Sequence, residues 1–124
     1  MTDSEAKDIT NTIRSTSFDL HAFLRSGHFE KVYENGLAHR LQRIGFSVRQ
    51  QFPIKVHDID GFLLGDYIAD LIIDTEIIVE VKACESLIDA HIAQVLGYLR
   101  ATGLRHGVLI NFGAPTLQIK KLVL

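Results

Sequence analysis

One cysteine, two prolines and no apolar run approaching the ~20 residues of a membrane-spanning helix set the first limits on this chain. Cys84 has no partner for an internal disulfide, and its place after a run of β-branched residues suits a small buried hydrophobe rather than a reactive thiol. An excess of positive charge is also missing. Thirteen Lys and Arg stand against 15 Asp and Glu, a formal net charge of −2, which argues against a protein that grips nucleic acid by bulk charge. Arg40, Arg43, Arg49, Lys55, Arg100, Arg105, Lys120 and Lys121 remain available for a local patch. The start, Met-Thr-Asp-Ser-Glu-Ala-Lys, lacks the basic and apolar segments of a secretory signal, so the expected compartment is the cytoplasm and no membrane partner is expected.

What is present is the composition of one ordered domain: 124 residues, of which 47% are hydrophobic and 23% charged, enough for a real core and too few for two. The stretch that organises it is Asp70-Leu71-Ile72-Ile73-Asp74-Thr75-Glu76-Ile77-Ile78-Val79-Glu80-Val81-Lys82, an apolar hairpin with charge where a sheet interior should be oily. A buried carboxylate or ammonium without a partner costs several kcal/mol, so Asp70, Glu80 and Lys82 must pair, reach solvent at a cleft, or hold a metal. Glu80 and Lys82 share a strand face. Asp70 joins them only if it sits opposite Glu80, which requires Ile73 opposite Ile77 and a loop of Asp74-Thr75-Glu76; a two-residue turn would point Asp70 away. The plain alternative is an ordinary ion pair of Lys82 with either acid on a half-exposed strand.

In chain order, residues 1–14 are polar, show little apolar period, and are expected to be a flexible segment preceding a single domain over 15–124. Phe18, Leu20, Phe23 and Leu24 suggest a short helix ending near Gly27. Phe29, Val32, Tyr33, Leu37, Leu41 and Ile44 recur at three and four, one face of a helix over 28–44 that Gly45 ends. Glu30 and Glu34 lie beside that stripe; by composition alone Glu30 reads as a first-turn acid facing water. Residues 46–57 alternate except at Gln51-Phe52-Pro53 and read as a strand with a bulge or at an edge, since Pro53 lacks an N–H. Asp58-Ile59-Asp60-Gly61 is a turn rather than, with His57, a metal cluster. Strand resumes from Phe62 to Ile73. Ser86 as N-cap and Asp89 as capping acid predict a second helix over 87–102, ending at Gly103. Its core stripe is Ile88, Ile92, Val95, Leu96 and Leu99, and a second stripe of Leu87, His91, Gln94 and Tyr98 offers hydrogen-bonding groups to a polar neighbour. His91 alone reads as a satisfied structural histidine. Gly107 to Phe112 is a buried strand parallel to the one before the helix, and Thr116 to Leu124 a final edge strand with Lys120 and Lys121 as edge protection.

The order helix, three strands, helix, strand, with an acid late in the second strand and Glu-x-Lys in the third, resembles the core of the PD-(D/E)XK nuclease superfamily. Four stretches resemble its bacterial GxxExxY family: Gly27-His28-Phe29-Glu30-Lys31-Val32-Tyr33-Glu34, Val79-Glu80-Val81-Lys82-Ala83, His91-Ile92-Ala93-Gln94-Val95-Leu96-Gly97-Tyr98 and Ile110-Asn111-Phe112-Gly113-Ala114-Pro115. Ser26-Gly27-His28-Phe29 departs from the more apolar, glycine-richer helix start common in that family. The resemblance implies an α/β fold with a central mixed sheet flanked by helices, like restriction endonucleases, and a metal-dependent nuclease acting on DNA or other nucleic acid. It implies that Asp70 and Glu80 hold Mg²⁺ or Mn²⁺, with the backbone carbonyl of Val81 as a third ligand. Lys82 would orient the attacking water and stabilise phosphate charge, and Gln94 would steady the site. Glu30 becomes an outer acid or second-metal ligand, with His91 and Tyr98 as supporting neighbours. The alternative is a catalytically silent nuclease-like fold that binds nucleic acid or assembles with a protein partner or a second copy of itself.

Overall fold

Alternation along one strand divides the molecule into two layers of core. A computed structural model describes residues 1–124 as three helices and a five-stranded mixed sheet, in the order α1 (Asp3–Leu24), α2 (Glu30–Ile44), β1 (Val48–His57), β2 (Leu63–Ile73), β3 (Ile77–Lys82), α3 (Asp89–Thr102), β4 (His106–Asn111) and β5 (Gln118–Val123). The strands lie side by side in sequence order, and every pair is antiparallel except β3 with β4, which α3 joins as a crossover. On β3, Ile77, Val79 and Val81 enter the larger core with Tyr33, Leu37 and Leu41 of α2 and Ala6, Ile13 and Leu20 of α1. Ile78, between them, packs on the other side against Tyr98 and Leu99 of α3. A period of two therefore sends Glu80 and Lys82 to the α3 side.

The expected hairpin register is the observed one. Ile73 pairs with Ile77 and Leu71 with Val79, around the loop Asp74-Thr75-Glu76, in which Asp74 and Thr75 take left-handed φ values of 51° and 59°. Continuing that ladder brings Asp70 level with Glu80. β1 is an edge strand, as its proline required, and the Asp58–Gly61 turn closes with Gly61 N–H on the Asp58 carbonyl.

Two expectations need correction. Residues 3–14 are not a loose leader but the first half of α1, which begins with a reciprocal cap: the Thr2 hydroxyl accepts from the Glu5 N–H at 3.1 Å and the Glu5 carboxylate accepts from the Thr2 N–H at 3.2 Å. Its buried face is Ala6, Thr10, Ile13, Thr16, Ser17, Leu20 and His21, too short of large apolar residues to announce itself as a stripe. Ser17 donates to the Ile13 carbonyl of its own helix, so its hydroxyl is buried without a deficit. The second correction is the start of α3. Ser86 is not its cap; the helix begins at Asp89, and the Ile88 N–H donates to Nδ1 of His91 at 3.2 Å.

A side-chain clasp fixes the chain just beyond Lys82. Asn111, fully buried at the end of β4, accepts from the N–H groups of Cys84 and Gly113 and donates to the Cys84 carbonyl and the Gln118 side chain. Gly113 is required there, because a Cβ at that position would lie 2.3 Å from the Cys84 nitrogen. The Asn111 amide thus holds the end of β3, and Lys82 with it, against β4.

Candidate active site

The backbone ladder between β2 and β3 stops at Leu71 and Val79, and carboxylates take over its hydrogen bonds. The Asp70 N–H donates to Oε1 of Glu80 at 2.9 Å, and the Val81 N–H donates to Oδ2 of Asp70 at 2.8 Å. The two acids therefore face each other across the parting strands, each holding the backbone of the other's strand. Asp70 Oδ1 has no hydrogen-bond partner, and Glu80 Oε2 lies 3.8 Å from Nζ of Lys82. Lys82 also donates to Oε1 of Gln94 on α3 at 2.9 Å, so the ammonium is held between strand and helix.

Asp70 sits at a switch of faces. Ala69 packs with Ile54, Ile78, Tyr98 and Leu99, whereas Leu71, two residues on, belongs to the opposite core. On the neighbouring strand Gln51, level with Asp70, is left out of the ladder and has φ of +55°. A non-glycine residue held there stores on the order of 1–3 kcal/mol of strain that the surrounding structure must sustain. The irregularity expected at Gln51-Phe52-Pro53 is this one, and it lies beside the acids.

Burial is the first reason that the Asp70 carboxyl is pushed above the usual carboxylate range, with the negative charge of Glu34 and Glu30 adding to it. Glu80 is pushed up to about 8, again by burial first and then by Asp70. Burial also raises Tyr98 on α3 to about 12, and the fields of Glu80 and Asp70 contribute. These mutual effects bring Asp70, Glu80, Lys82, Gln94 and Tyr98 together, with Glu30 at the first turn of α2 near enough to act on both acids. His91 is apart from this group: its ring caps α3 and makes no hydrogen bond or ion pair with the acids.

Glu34 was not among the expected site residues. It is 3% exposed, and its carboxylate accepts from Lys31 at 3.0 Å, Gln50 at 2.7 Å and Gln51 at 2.9 Å. A buried acid served by two glutamines of β1 ties the strained Gln51 to α2, behind Asp70. The signal was the adjacent pair of amides where β1 loses its alternation.

The donor chemistry of the pair fits a hard divalent cation. No group of three His, Cys, Asp or Glu side chains forms a ready cage, but two carboxylates with raised pKa values, Asp70 with Oδ1 unbonded and Glu80 with Oε2 held only by Lys82 at 3.8 Å, gain from a cation between them. Val81, between the motif residues, is buried with its N–H on Asp70.

A family model described as the PD-(D/E)XK nuclease superfamily matches residues 7–122. The chain belongs to that superfamily. No curated protein is similar enough in sequence to count as a match. The fold of this PD-(D/E)XK domain is similar to the crystal structure of SSO0001, with a TM-score of 0.61 and 18% identity over 75% of this chain and 48% of that one. The domain thus spans about half the length of that protein, and the likeness is one of fold. An alkaline exonuclease (LHK-Exo) from Laribacter hongkongensis overlaps 99% of this chain and 72% of its own, at a TM-score of 0.44 and 12% identity.

Proposed function

We propose that this PD-(D/E)XK domain, of the GxxExxY kind, is a metal-dependent nuclease that hydrolyses phosphodiester bonds. The observation that carries the reading is the facing pair, Asp70 and Glu80, with Lys82 3.8 Å from Glu80 and held by Gln94. A buried acid facing a half-buried one, each raising the cost of the other's charge, is a poor structural device and a good cation seat. Mg²⁺ or Mn²⁺, when bound, would polarise the scissile phosphate and lower the pKa of a water. Asp70 Oδ1 and Glu80 Oε2 would hold the ion, with the Val81 carbonyl completing the protein's share. The Lys82 ammonium orients the nucleophilic water and offsets charge that develops on the phosphate. Gln94 holds that ammonium from α3 while Glu80 pairs with it at 3.8 Å, and Tyr98 lies within the field of both acids. Glu30 approaches from α2 as an outer acid, and His91 supports the site only by fixing the first turn of α3.

Incubating the protein with single-stranded, double-stranded and branched DNA and RNA, with Mg²⁺ or Mn²⁺, tests the reading. Cleavage that Asp70→Asn abolishes supports it. Binding without cleavage by the wild type at any metal concentration turns the reading to a silent nuclease-like module.

A further inference from the structure

α3 carries a glycine that its own geometry does not need. Gly97 lies mid-helix in ordinary helical conformation, and a Cβ built there would meet nothing within 4 Å. Glycine in a helix interior costs roughly 1 kcal/mol relative to alanine, so neither packing nor backbone accounts for it. The space it leaves open is part of a longer trough. Gly97, Arg100 and Ala101 of α3 face Lys55, Val56, His57 and Tyr67 across a hollow of about 440 Å³. Past Lys55 and Ala101 it continues into a second hollow of about 430 Å³ beside Arg49, Phe52 and Thr102.

The lining of this trough is one-sided in charge. Arg49, Lys55 and Arg100 contribute to it and no Asp or Glu does, in a chain whose net charge is −2. Lys55 has Asp66 at 3.4 Å in an exposed pair, while Arg49 and Arg100 have no ion-pair partner. Aromatic faces are present as well: Tyr67 is 50% exposed, and Arg49 lies over the Phe52 ring at 5.2 Å. The acids do not line the trough, but two neighbours relate it to them. The Tyr67 ring is 5.6 Å from that of Tyr98, and Gly97 is three residues along α3 from Gln94, the partner of Lys82.

We infer that this trough seats a single strand of nucleic acid, its phosphates on Arg49, Lys55 and Arg100, an unpaired base against Tyr67, and its backbone passing over Gly97 towards Asp70 and Glu80. The choice of an unpaired strand follows from the half-exposed aromatic beside the cations, since stacking needs a free base face, whereas a duplex presents only phosphates to such a surface. The inference deepens the nuclease reading and rests on it for the direction of the strand, but the binding itself does not require cleavage.

The test therefore measures binding in the Asp70→Asn protein, which keeps the trough and cannot cut. Fluorescence anisotropy with a labelled oligothymidylate, an oligouridylate and a DNA duplex of equal length should show both single strands binding at least tenfold more tightly than the duplex. Changing Arg49, Lys55 and Arg100 together to Ala should lower the slope of log affinity against log salt by about 2, at roughly 0.7 per lost phosphate contact. Gly97→Leu should weaken single-strand binding tenfold or more, while Gly97→Ala, smaller and a better helix former, should melt at a higher temperature than its parent. A duplex bound as tightly as the single strands, an unchanged salt slope, or full binding by Gly97→Leu would each overturn the inference. Single-strand binding that obeys these variants in a wild type that never cleaves would uphold the trough and remove the nuclease reading, so the two fail separately.

Discussion

Glu80 keeps its proton to about pH 8 because burial and the neighbouring Asp70 both penalise its charged form. The folded state then binds a proton more tightly than the unfolded chain, whose glutamate has its ordinary value of 4.5. Stability from this group is fully present below that ordinary value and is lost as pH rises through the window to about 8. In metal-free buffer the melting temperature should fall across that window, and Glu80→Gln, whose amide oxygen can still accept the Asp70 N–H, should flatten the fall. Thermal melts of both proteins at steps of pH check this; parallel curves would mean that Glu80 ionises freely when folded. Lys82 should separate differently. Its ammonium is no metal ligand, so Lys82→Ala should bind Mn²⁺ as well as the wild type or better, while cleavage drops by about a hundredfold or more, the scale of losing one positioned charge partner. Isothermal titration beside a cleavage assay reads both; undiminished cleavage would make Lys82 a structural counter-ion.

At the scale of elements, the hairpin was legible and α1 was not, for related reasons. β-strand register follows from a period of two and a loop length, and the demand that Asp70 meet Glu80 selected one loop among few. α1 buries small and hydroxylated residues, Ala6, Thr10 and Ser17, between Ile13 and Leu20, so apolar periodicity hides what the Thr2–Glu5 cap discloses. Glu34, one turn from Glu30 on a helix where acids are ordinary, carries no mark of a site role in the sequence; only the tertiary approach of Gln50 and Gln51 makes it special. The start of α3 lies past Ser86 because the His91 imidazole, two residues beyond Asp89, accepts from the Ile88 N–H and so takes the part expected of the Asp89 carboxylate. The status of α1 is open to one substitution. Ile13 is fully buried in the larger core, so Ile13→Ala should cost about 2–5 kcal/mol in denaturant unfolding, a cost that a loose leader would not carry.

For the molecule as a whole, the acid pair makes stability depend on what occupies it. A ligand that binds only the folded state stabilises by mass action, about 2.7 kcal/mol at a hundred times its dissociation constant. Millimolar Mn²⁺ should therefore raise the melting temperature at pH 8, should do so less at pH 5 where Glu80 is protonated, and should leave Asp70→Asn nearly unmoved. Equal shifts in wild type and variant would place the cation elsewhere. The larger core, which joins α1 and α2 to the middle strands, makes no use of the pair, so the apo protein should still unfold in one cooperative step.

Where the ladder between β2 and β3 gives way, each acid holds the amide of a residue on the opposite strand: Glu80 that of Asp70, and Asp70 that of Val81. The wiring is crossed, and it gives two separate reporters for two carboxyls whose titrations are otherwise entangled. In a nitrogen-15 NMR titration the Asp70 amide resonance follows the charge on Glu80, and the Val81 amide resonance follows the charge on Asp70. The order in which the pair surrenders its protons, and which oxygen a cation reaches first, is thereby written in the chemical shifts of two backbone protons that take no part in the chemistry.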